Sequence, residues 1–355
     1  MTLLEPLFTP TNLGRISLAN RVVMAPMTRS RAGIDDCVSQ LHVDYYSQRA
    51  SAGLIITEGT HPSVNGKGYC RTPGIYNQAQ IEAWREVTDS VHGLGGKIVC
   101  QIMHCGRVGG VSNKAVGAET VAPSAIQCRE KIFTEEGMVD MPLARALSTD
   151  EIPGIIEEHR HATQNAFDAG FDGVELHCTS GYLMAQFLST GTNQREDEYG
   201  GSLDNRLRLV LEVLNAMASV DGADRVGMRI CPGNPFNDLQ DDNPVETFTA
   251  LLTAVDPLNL AYLHVIRMAA TGIDNIDLAR THFNGPIIVN DSYSLEEAQL
   301  IVANTSAAAV SFGRWFVANP DLVERLKAGA ELNRMDGRTL YSAGPRGYVD
   351  YTTLN

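Results

Sequence analysis

Short, mainly apolar runs of strand length recur along the chain, separated by longer segments whose apolar residues have helical spacing. Runs of this length, bounded by polar or glycine-containing segments, are typical of buried strands in a parallel sheet. The pattern predicts strands at residues 22–25, 54–57, 98–102, 173–176, 226–230, 262–265, 286–289 and 308–312.

Helices are predicted between these strands from apolar spacing and capping signals. One begins near Asn77 and runs to Gly93, a residue type that commonly ends a helix. Two more begin at Ser148 and Ser294, each followed three residues later by a glutamate that completes a capping box. Further helices are predicted at residues 207–218 and 321–328.

Strands that alternate with helices along the whole chain favour a single (β/α)8 TIM barrel. The competing fold, an open doubly wound sheet, usually has a GxGxxG turn after its first strand, whereas this chain reads PMTRSR there. No linker rich in proline, glycine or serine divides residues 1–355, so one domain is expected.

Two additions to the barrel are predicted. A short hairpin should precede it, formed by Leu7 and Phe8, a turn at residues 11–14 and a strand at Ile16–Leu18. The segment from about residue 109 to residue 147 is too long for a plain loop. It is predicted to be a hairpin or lid inserted after the third strand.

Net charge and hydropathy exclude several classes of protein. The formal net charge of -14 argues against a nucleic-acid partner, which requires clustered lysine and arginine. The chain lacks a basic amphipathic segment and an apolar stretch long enough to span a bilayer, so no membrane association is expected. The opening sequence MTLLEPLFTP lacks the features of a signal peptide, which favours a cytoplasmic location.

Seven cysteines are scattered along the chain without CxxC spacing. An odd number in this arrangement fits reduced thiols better than a disulfide framework. Most are interpreted as small packing residues. A metal site formed by Cys105, Cys178 and His177 has no supporting spacing, so no metal is expected.

The stretch GVELHCTSGYLMAQFLS, residues 173–189, carries the most concentrated chemistry. It reads as a strand, a loop of small polar residues and a short helix. His177, Ser180 and Tyr182, which can all donate or exchange a proton, follow the end of the strand. Each also has an ordinary structural interpretation, since a lone histidine or tyrosine usually has a packing or hydrogen-bonding role.

Polar residues also follow the other predicted strands, and in a barrel the carboxyl ends of the strands meet at one pocket. Three of them are cations, Arg229, Arg267 and Arg314. A Gly-Arg pair after the eighth strand is suited to a phosphate, because backbone N–H groups and a guanidinium can both reach it. The set therefore indicates a pocket for a phosphorylated, polar and planar ligand.

Long strings of sequence resemble the old yellow enzyme family of FMN-dependent ene-reductases. They include LFTPTNLGRISLANRVVMAPMTRSRA, HCTSGYLMAQFLSTGTNQREDEYGGSLDNRLRLVLEV and VSFGRWFVANPDLVERL, and the resemblance covers nearly the whole chain. It implies a (β/α)8 barrel with FMN as the cofactor and NADPH or NADH as the electron donor.

The resemblance also implies roles for individual residues. Thr28 would tune the flavin near O4, Gln101 would bond its pyrimidine edge, and Arg229 would stabilise the charge of the reduced ring. Gly313 and Arg314 would hold the phosphate. The full set of implied cofactor-binding residues is Pro26, Met27, Thr28, Gly59, Gln101, Arg229, Asp291, Ser292, Gly313 and Arg314.

The implied reaction reduces the activated C=C bond of an α,β-unsaturated carbonyl or nitro compound. His177 and Ser180 would hold the carbonyl oxygen, and Tyr182 would protonate the α-carbon after hydride reaches the β-carbon. Tyr69 and Tyr341 would line the substrate side. The partner is thus a small enone-type molecule, and the protein is expected to be a monomer or homodimer.

The chain departs from the family pattern at two important positions. Ser180 stands where the family usually has His or Asn, and its hydroxyl is a shorter and weaker donor. Asp291 stands where the family tends to have glycine, which places a carboxylate near the expected phosphate. Further differences at Gly59, Met103 and Arg267 suggest a reshaped substrate pocket.

These departures keep other functions open. The protein could have a changed chemistry, such as a flavin-dependent isomerisation or an oxidative step, or could bind flavin without turnover. Retention of Tyr182 favours the reductase. A Schiff-base aldolase on the same barrel would need a lysine at a strand end, and the predicted strand ends carry none.

Overall fold

The computed structural model describes residues 6–354, and its centre is a closed barrel of eight parallel strands. The barrel closes where the eighth strand pairs with the first, with Val310 opposite Val22. This architecture confirms the predicted fold class. The barrel strands, called first to eighth below, are Val22–Met24, Leu54–Ile56, Ile98–Ile102, Gly173–His177, Val226–Ile230, Tyr262–Ile266, Ile287–Asn290 and Ala309–Phe312.

Helices surround the barrel, and the capping signals in the sequence mark the predicted starts. The Asn77 side chain accepts a hydrogen bond from Gln80 N at 3.0 Å, and Ser294 Oγ accepts from Glu297 N at 3.1 Å. Ser148 forms the expected capping box with Glu151. The α-helices of the described chain are Gln40–Ser47, Gln78–Gly93, Ile152–Asp168, Leu183–Leu188, Leu203–Asp221, Pro244–Val255, Asn275–His282, Leu295–Ala303, Arg314–Ala318 and Leu322–Ala328.

The hairpin before the barrel is present, but its first strand was predicted in the wrong place. The paired strands are Thr11–Leu13 and Ile16–Leu18, whereas Leu7 and Phe8 belong to a 3₁₀ turn at Pro6–Phe8. Gly14 makes the tight connection with φ +56°, and a Cβ there would lie 2.2 Å from Asp224 O. The buried hairpin side chains pack with apolar residues at the starts of the strands, which closes that end of the barrel.

The inserted segment after the third strand contains the expected hairpin, formed by Lys131–Thr134 and Gly137–Asp140. Its base is attached to the loop that follows the fifth strand. Arg129 donates two short hydrogen bonds to the Asp238 carboxylate, at 2.9 Å from Nε and 2.6 Å from Nη2. The hairpin therefore lies at the carboxyl end of the barrel.

A fully buried arginine connects the first helix to the end of the barrel. Arg49 donates to Tyr45 O at 2.7 Å, Phe316 O at 2.8 Å and Val317 O at 3.1 Å. Its guanidinium carbon lies 3.9 Å from the centre of the Tyr45 ring. Burial lowers the pKa of Arg49 to about 10, so the group remains charged at neutral pH.

We expect Arg49→Ala to lower the free energy of unfolding by about 3–5 kcal/mol, because it leaves a cavity and several buried carbonyls without a donor. Urea denaturation followed by circular dichroism measures the change. Arg160→Ala, which removes only a surface pair with Glu157, is the control and should cost less than about 1 kcal/mol. Equal losses in the two variants would contradict this account of Arg49.

Candidate active site

Three of the predicted groups meet at the carboxyl end of the fourth and fifth strands. His177 is the last residue of the fourth strand, and the parallel register places Arg229 directly beside it. The ring of Tyr182 approaches the His177 ring edge-on, with 4.9 Å between centroids and an interplanar angle of 78°. The fold therefore brings an imidazole, a phenol and a guanidinium to one place.

His177 is a neutral imidazole at neutral pH. Burial, together with the positive charge of Arg229, lowers the pKa of His177 to about 3. Its Nδ1 atom is buried and has no hydrogen-bond partner within residues 6–354. A neutral ring of this kind can donate a single N–H to a ligand oxygen.

Tyr182 is a protonated phenol beside a second phenol. Its hydroxyl lies 3.0 Å from the hydroxyl of Tyr69, and burial raises the pKa of Tyr182 well above its usual value. Tyr69, predicted to line the substrate side, therefore lies next to Tyr182. Tyr341 is 57% exposed, and its backbone carbonyl accepts a hydrogen bond from Arg71 at 2.8 Å, so it lies at the rim.

Ser180 belongs to a loop with left-handed backbone geometry, with φ +56° at Ser180 and +74° at Gly181. The loop after the fifth strand holds it in place. Asn237 Nδ2 donates to Ser180 O at 2.7 Å, and Asn234 Nδ2 lies 3.5 Å from Ser180 Oγ. A Cβ at Gly181 would lie 2.6 Å from Phe236 O, so glycine is required by both space and conformation.

Asn234 and Asn237 are functional candidates that the sequence reasoning missed. Both are at least 95% buried, and both contact the loop that carries Ser180. Their position just after the fifth strand could have suggested a place in the site. Their contacts with the preceding loop depend on the pairing of neighbouring strands and could not be deduced from spacing.

Three residues that follow the first strand were predicted to face the flavin ring, and all three are half-buried: Pro26, Met27 and Thr28. Two glycines provide space beside methionines in this region. A Cβ at Gly59 would lie 2.4 Å from Met103 Cε, and a Cβ at Gly313 would lie 3.3 Å from Met27 Sδ. Glycine at these positions therefore leaves room for the methionine side chains at the strand ends.

Gln101 and Arg229 are each held by a hydrogen bond to a buried polar side chain. Gln101 Nε2 donates to Glu175 Oε1 at 2.7 Å, and Arg229 Nη2 donates to Asn290 Oδ1 at 2.7 Å. Arg229 Nε is buried and has no hydrogen-bond partner in the described part of the chain. A buried guanidinium N–H of this kind can bond an acceptor edge of a ligand.

The expected phosphate region lies at the ends of the seventh and eighth strands. Asp291 and Ser292 have left-handed backbone angles, φ +82° and +56°. Arg314 Nη2 lies 3.7 Å from Asp291 Oδ1 and donates to Ser292 Oγ at 3.1 Å. Arg267, also at a strand end, donates to Ser292 O at 2.8 Å. The carboxylate of Asp291 is thus partly offset by a cation.

Glu58, which also follows a barrel strand, has a structural role. Its Oε2 accepts a hydrogen bond from Arg29 N at 3.2 Å, and its own N–H donates to the Tyr46 hydroxyl at 3.0 Å. Burial raises the pKa of Glu58 to about 7. The contacts fix the chain just after Thr28.

Neither a metal site nor a membrane span is found among the described residues. Residues 6–354 contain no group of three or more His, Cys, Asp or Glu side chains that could hold a metal ion. None of the helices in this range combines the length and the apolar composition needed to cross a membrane.

A closed parallel barrel with an imidazole, a phenol and a guanidinium at the carboxyl ends of its strands defines an enzyme of the TIM-barrel class. Residues 6–333 match the model of the NADH:flavin oxidoreductase / NADH oxidase family. The chain belongs to this family, and it is an oxidoreductase. FMN and a nicotinamide electron donor are the cofactors of the family, as the sequence predicted.

Individual relatives agree with this assignment. The chain is 40% identical to a probable flavin mononucleotide-dependent alkene reductase of Leishmania infantum, with 98% of this chain and 97% of that protein covered. It is also 40% identical to 12-oxophytodienoate reductase 7 of Oryza sativa subsp. japonica, with 98% and 95% covered.

Solved structures show the same architecture. Morphinone reductase in complex with tetrahydroNAD has a TM-score of 0.92 and 44% identity, and the match covers 98% of each chain. An old yellow enzyme homologue from Zymomonas mobilis has a TM-score of 0.95 and 37% identity, with 98% of this chain and 99% of that chain covered.

We expect Asp291→Gly to tighten FMN binding about tenfold, because it removes a negative charge from the expected phosphate region and relieves left-handed strain. Quenching of flavin fluorescence during titration of the apoprotein measures the dissociation constant. Asp291→Asn is the matched variant, since asparagine tolerates positive φ and lacks the charge. Unchanged affinity in both variants would show that Asp291 does not act on the phosphate.

Proposed function

We propose that this protein reduces the activated C=C bond of α,β-unsaturated carbonyl or nitro compounds, using FMN and NADPH or NADH. The observation that carries the proposal is the contact between the His177 and Tyr182 rings, a neutral imidazole beside a protonated phenol. The names of relatives support the same reaction class, since they include an alkene reductase and a 12-oxophytodienoate reductase.

The residues at the strand ends fit a flavin. Arg229 Nε, buried and without a partner among residues 6–354, would donate to the N1/O2 edge, and Gln101 would bond the pyrimidine ring. Arg314 would pair with the phosphate in place of Asp291. When bound, FMN supplies hydride exchange between a nicotinamide and an electron-poor alkene.

His177 holds and polarises the substrate. Its single N–H donates to the carbonyl or nitro oxygen, where negative charge develops as hydride adds at the β-carbon. Because the pKa of His177 is about 3, the ring remains a neutral donor throughout the physiological range. The positive charge of Arg229 stabilises this neutral state and adds to the attraction for the developing anion.

Tyr182 delivers the proton to the α-carbon. Burial raises its pKa, which keeps the phenol protonated until a carbanion-like carbon develops next to it. The Tyr69 hydroxyl at 3.0 Å can stabilise the phenolate that remains by donating a hydrogen bond. A proton from solvent then restores the phenol.

Ser180 provides the second contact to the substrate oxygen in this proposal. Its hydroxyl replaces an amide or imidazole, which costs roughly 1–3 kcal/mol of transition-state stabilisation. This short donor is the feature that favours a second candidate, a flavin-dependent isomerisation or oxidative step on a pathway-specific molecule. In that case the substrate oxygen would be held by His177 with little help from residue 180.

A two-step flavin assay tests the proposal. The holoenzyme should be yellow, lose its colour with NADPH or NADH without oxygen, and regain it when an enone or nitroalkene is added. Tyr182→Phe should slow flavin reoxidation by the alkene about 10²–10⁴-fold, while flavin reduction by NADPH or NADH stays fast. Tyr199→Phe, which removes a hydroxyl bonded to Glu212, is the control. If NADPH or NADH bleaches the flavin but no enone or nitroalkene reoxidises it, the second candidate is favoured.

Ser180→Asn should raise the rate of reoxidation by simple enones about tenfold, since the longer amide donor reaches the substrate oxygen. Asparagine accepts the left-handed backbone at this position better than most residues. Ser180→Ala should lower the rate. Binding of a phenol ligand, measured from its charge-transfer absorbance, shows whether the pocket of the Asn variant is intact. An unchanged rate together with unchanged phenol binding would contradict the prediction.

A further inference from the structure

A fully buried carboxylate lies at the centre of the barrel, below the residues expected to face the flavin. Glu175 is in the fourth strand, with Gln101 of the third strand beside it in the register. It accepts hydrogen bonds from Gln101 Nε2 at 2.7 Å and from His264 Nδ1 at 2.9 Å.

The charges of this pair follow from their surroundings. Although burial alone would raise it, the pKa of Glu175 lies below its usual value because His264 and Arg229 stabilise the carboxylate. Burial lowers the pKa of His264, so its ring is neutral at neutral pH. The neutral ring donates from Nδ1 to Glu175 and accepts at Nε2 from Ser311 Oγ at 2.8 Å.

The same carboxylate influences Arg229. Burial lowers the pKa of Arg229, and the charge of Glu175 is the strongest influence that raises it again. A series of hydrogen bonds also links the two groups. His264 joins Glu175 to Ser311, Asn290 Nδ2 donates to Ser311 O at 3.1 Å, and Asn290 Oδ1 accepts from Arg229. Glu175 thus offsets the charge of Arg229 and anchors Gln101.

The ionised carboxylate also orients the Gln101 amide. It has no hydrogen to donate, so Gln101 must present its NH₂ group to Glu175. The amide oxygen then occupies the other end and can accept a hydrogen bond from the imide N–H of a flavin. Without Glu175 the two ends of the amide could exchange places.

We propose that Glu175, supported by His264, is a positioning residue that sets the affinity and the reduction potential of the bound flavin. It does so by fixing the Gln101 amide and by offsetting the charge of Arg229. The inference rests on the proposed function, because it requires a flavin whose pyrimidine edge faces these two side chains. Glu175 itself touches neither substrate nor the reacting atoms.

The test measures FMN dissociation constants and the midpoint potential of the bound flavin. In Glu175→Gln the charge of Arg229 is no longer offset, so anionic reduced FMN is favoured. The potential should rise, and the ratio of oxidised to reduced dissociation constants should increase about tenfold. Glu175→Asp keeps the charge but cannot reach Gln101, so it should weaken FMN binding while the potential stays close to that of the unmodified protein.

Asp172→Asn is the matched control. Asp172 immediately precedes the fourth strand at the opposite end of the barrel, and its carboxylate is likewise paired with a histidine, His92, at 2.8 Å. This change should leave the potential and the FMN affinity unchanged. Circular dichroism establishes that each variant is folded before the flavin is measured.

The outcomes separate the inference from the function on which it rests. An unmodified protein that binds no FMN would refute the proposed function itself. A yellow, folded Glu175→Gln protein with an unchanged potential would overturn the inference and leave the function standing. If Glu175→Gln does not fold, unchanged FMN affinity in Glu175→Asp is the result that overturns it.

Discussion

The pairing of Val22 with Val310 closes a sheet in which all eight strands run in one common direction. Hydrogen bonds between parallel strands then fix which residues share a level, so His177 lies beside Arg229 and Glu175 beside Gln101. Side chains far apart in sequence meet at one rim because of this closure. The chemistry of the site is therefore a consequence of register more than of local sequence.

Closure also forces polar groups into a layer from which water is excluded. A buried carboxylate and a buried guanidinium are each costly alone, and the barrel contains both within one hydrogen-bonded set. The neutral His264 ring hydrogen-bonds both Glu175 and Ser311, so it links them without adding a further charge. The pocket above this layer holds neutral His177 and protonated Tyr182, and burial reinforces both protonation states because it lowers the pKa of His177 and raises the pKa of Tyr182.

The barrel strands could be predicted because strands buried on both sides are short, nearly continuous apolar runs. Capping residues such as Asn77 and Ser294 likewise marked helix starts correctly. The helix Gln40–Ser47 escaped prediction because its buried side chains are His42, Tyr45 and Tyr46, which form no aliphatic stripe. Strand Thr11–Leu13 was taken for a turn because its composition is that of one.

Within the site, residues at strand ends could be named from sequence, but the residues that support them could not. Glu175 lies inside a strand, where a carboxylate gives no periodic signal, and its partner His264 is two barrel strands away. The contact of Asn237 with Ser180 could not be predicted either, because it joins two loops that are distant in sequence and meet only in the folded structure. Their roles follow from distances that sequence spacing does not encode.

The loop after the fifth strand contacts the loop of Ser180 on one side and the inserted segment on the other. Asn237 supports the loop of Ser180 on one side, while its carbonyl accepts hydrogen bonds from Arg107 and from Cys128 of the insert on the other. The neighbouring Asp238 binds Arg129 of the same insert. Substitutions in the insert can therefore reach the loop of Ser180 through Asn237 and Asp238 while His177 and Tyr182 are unchanged.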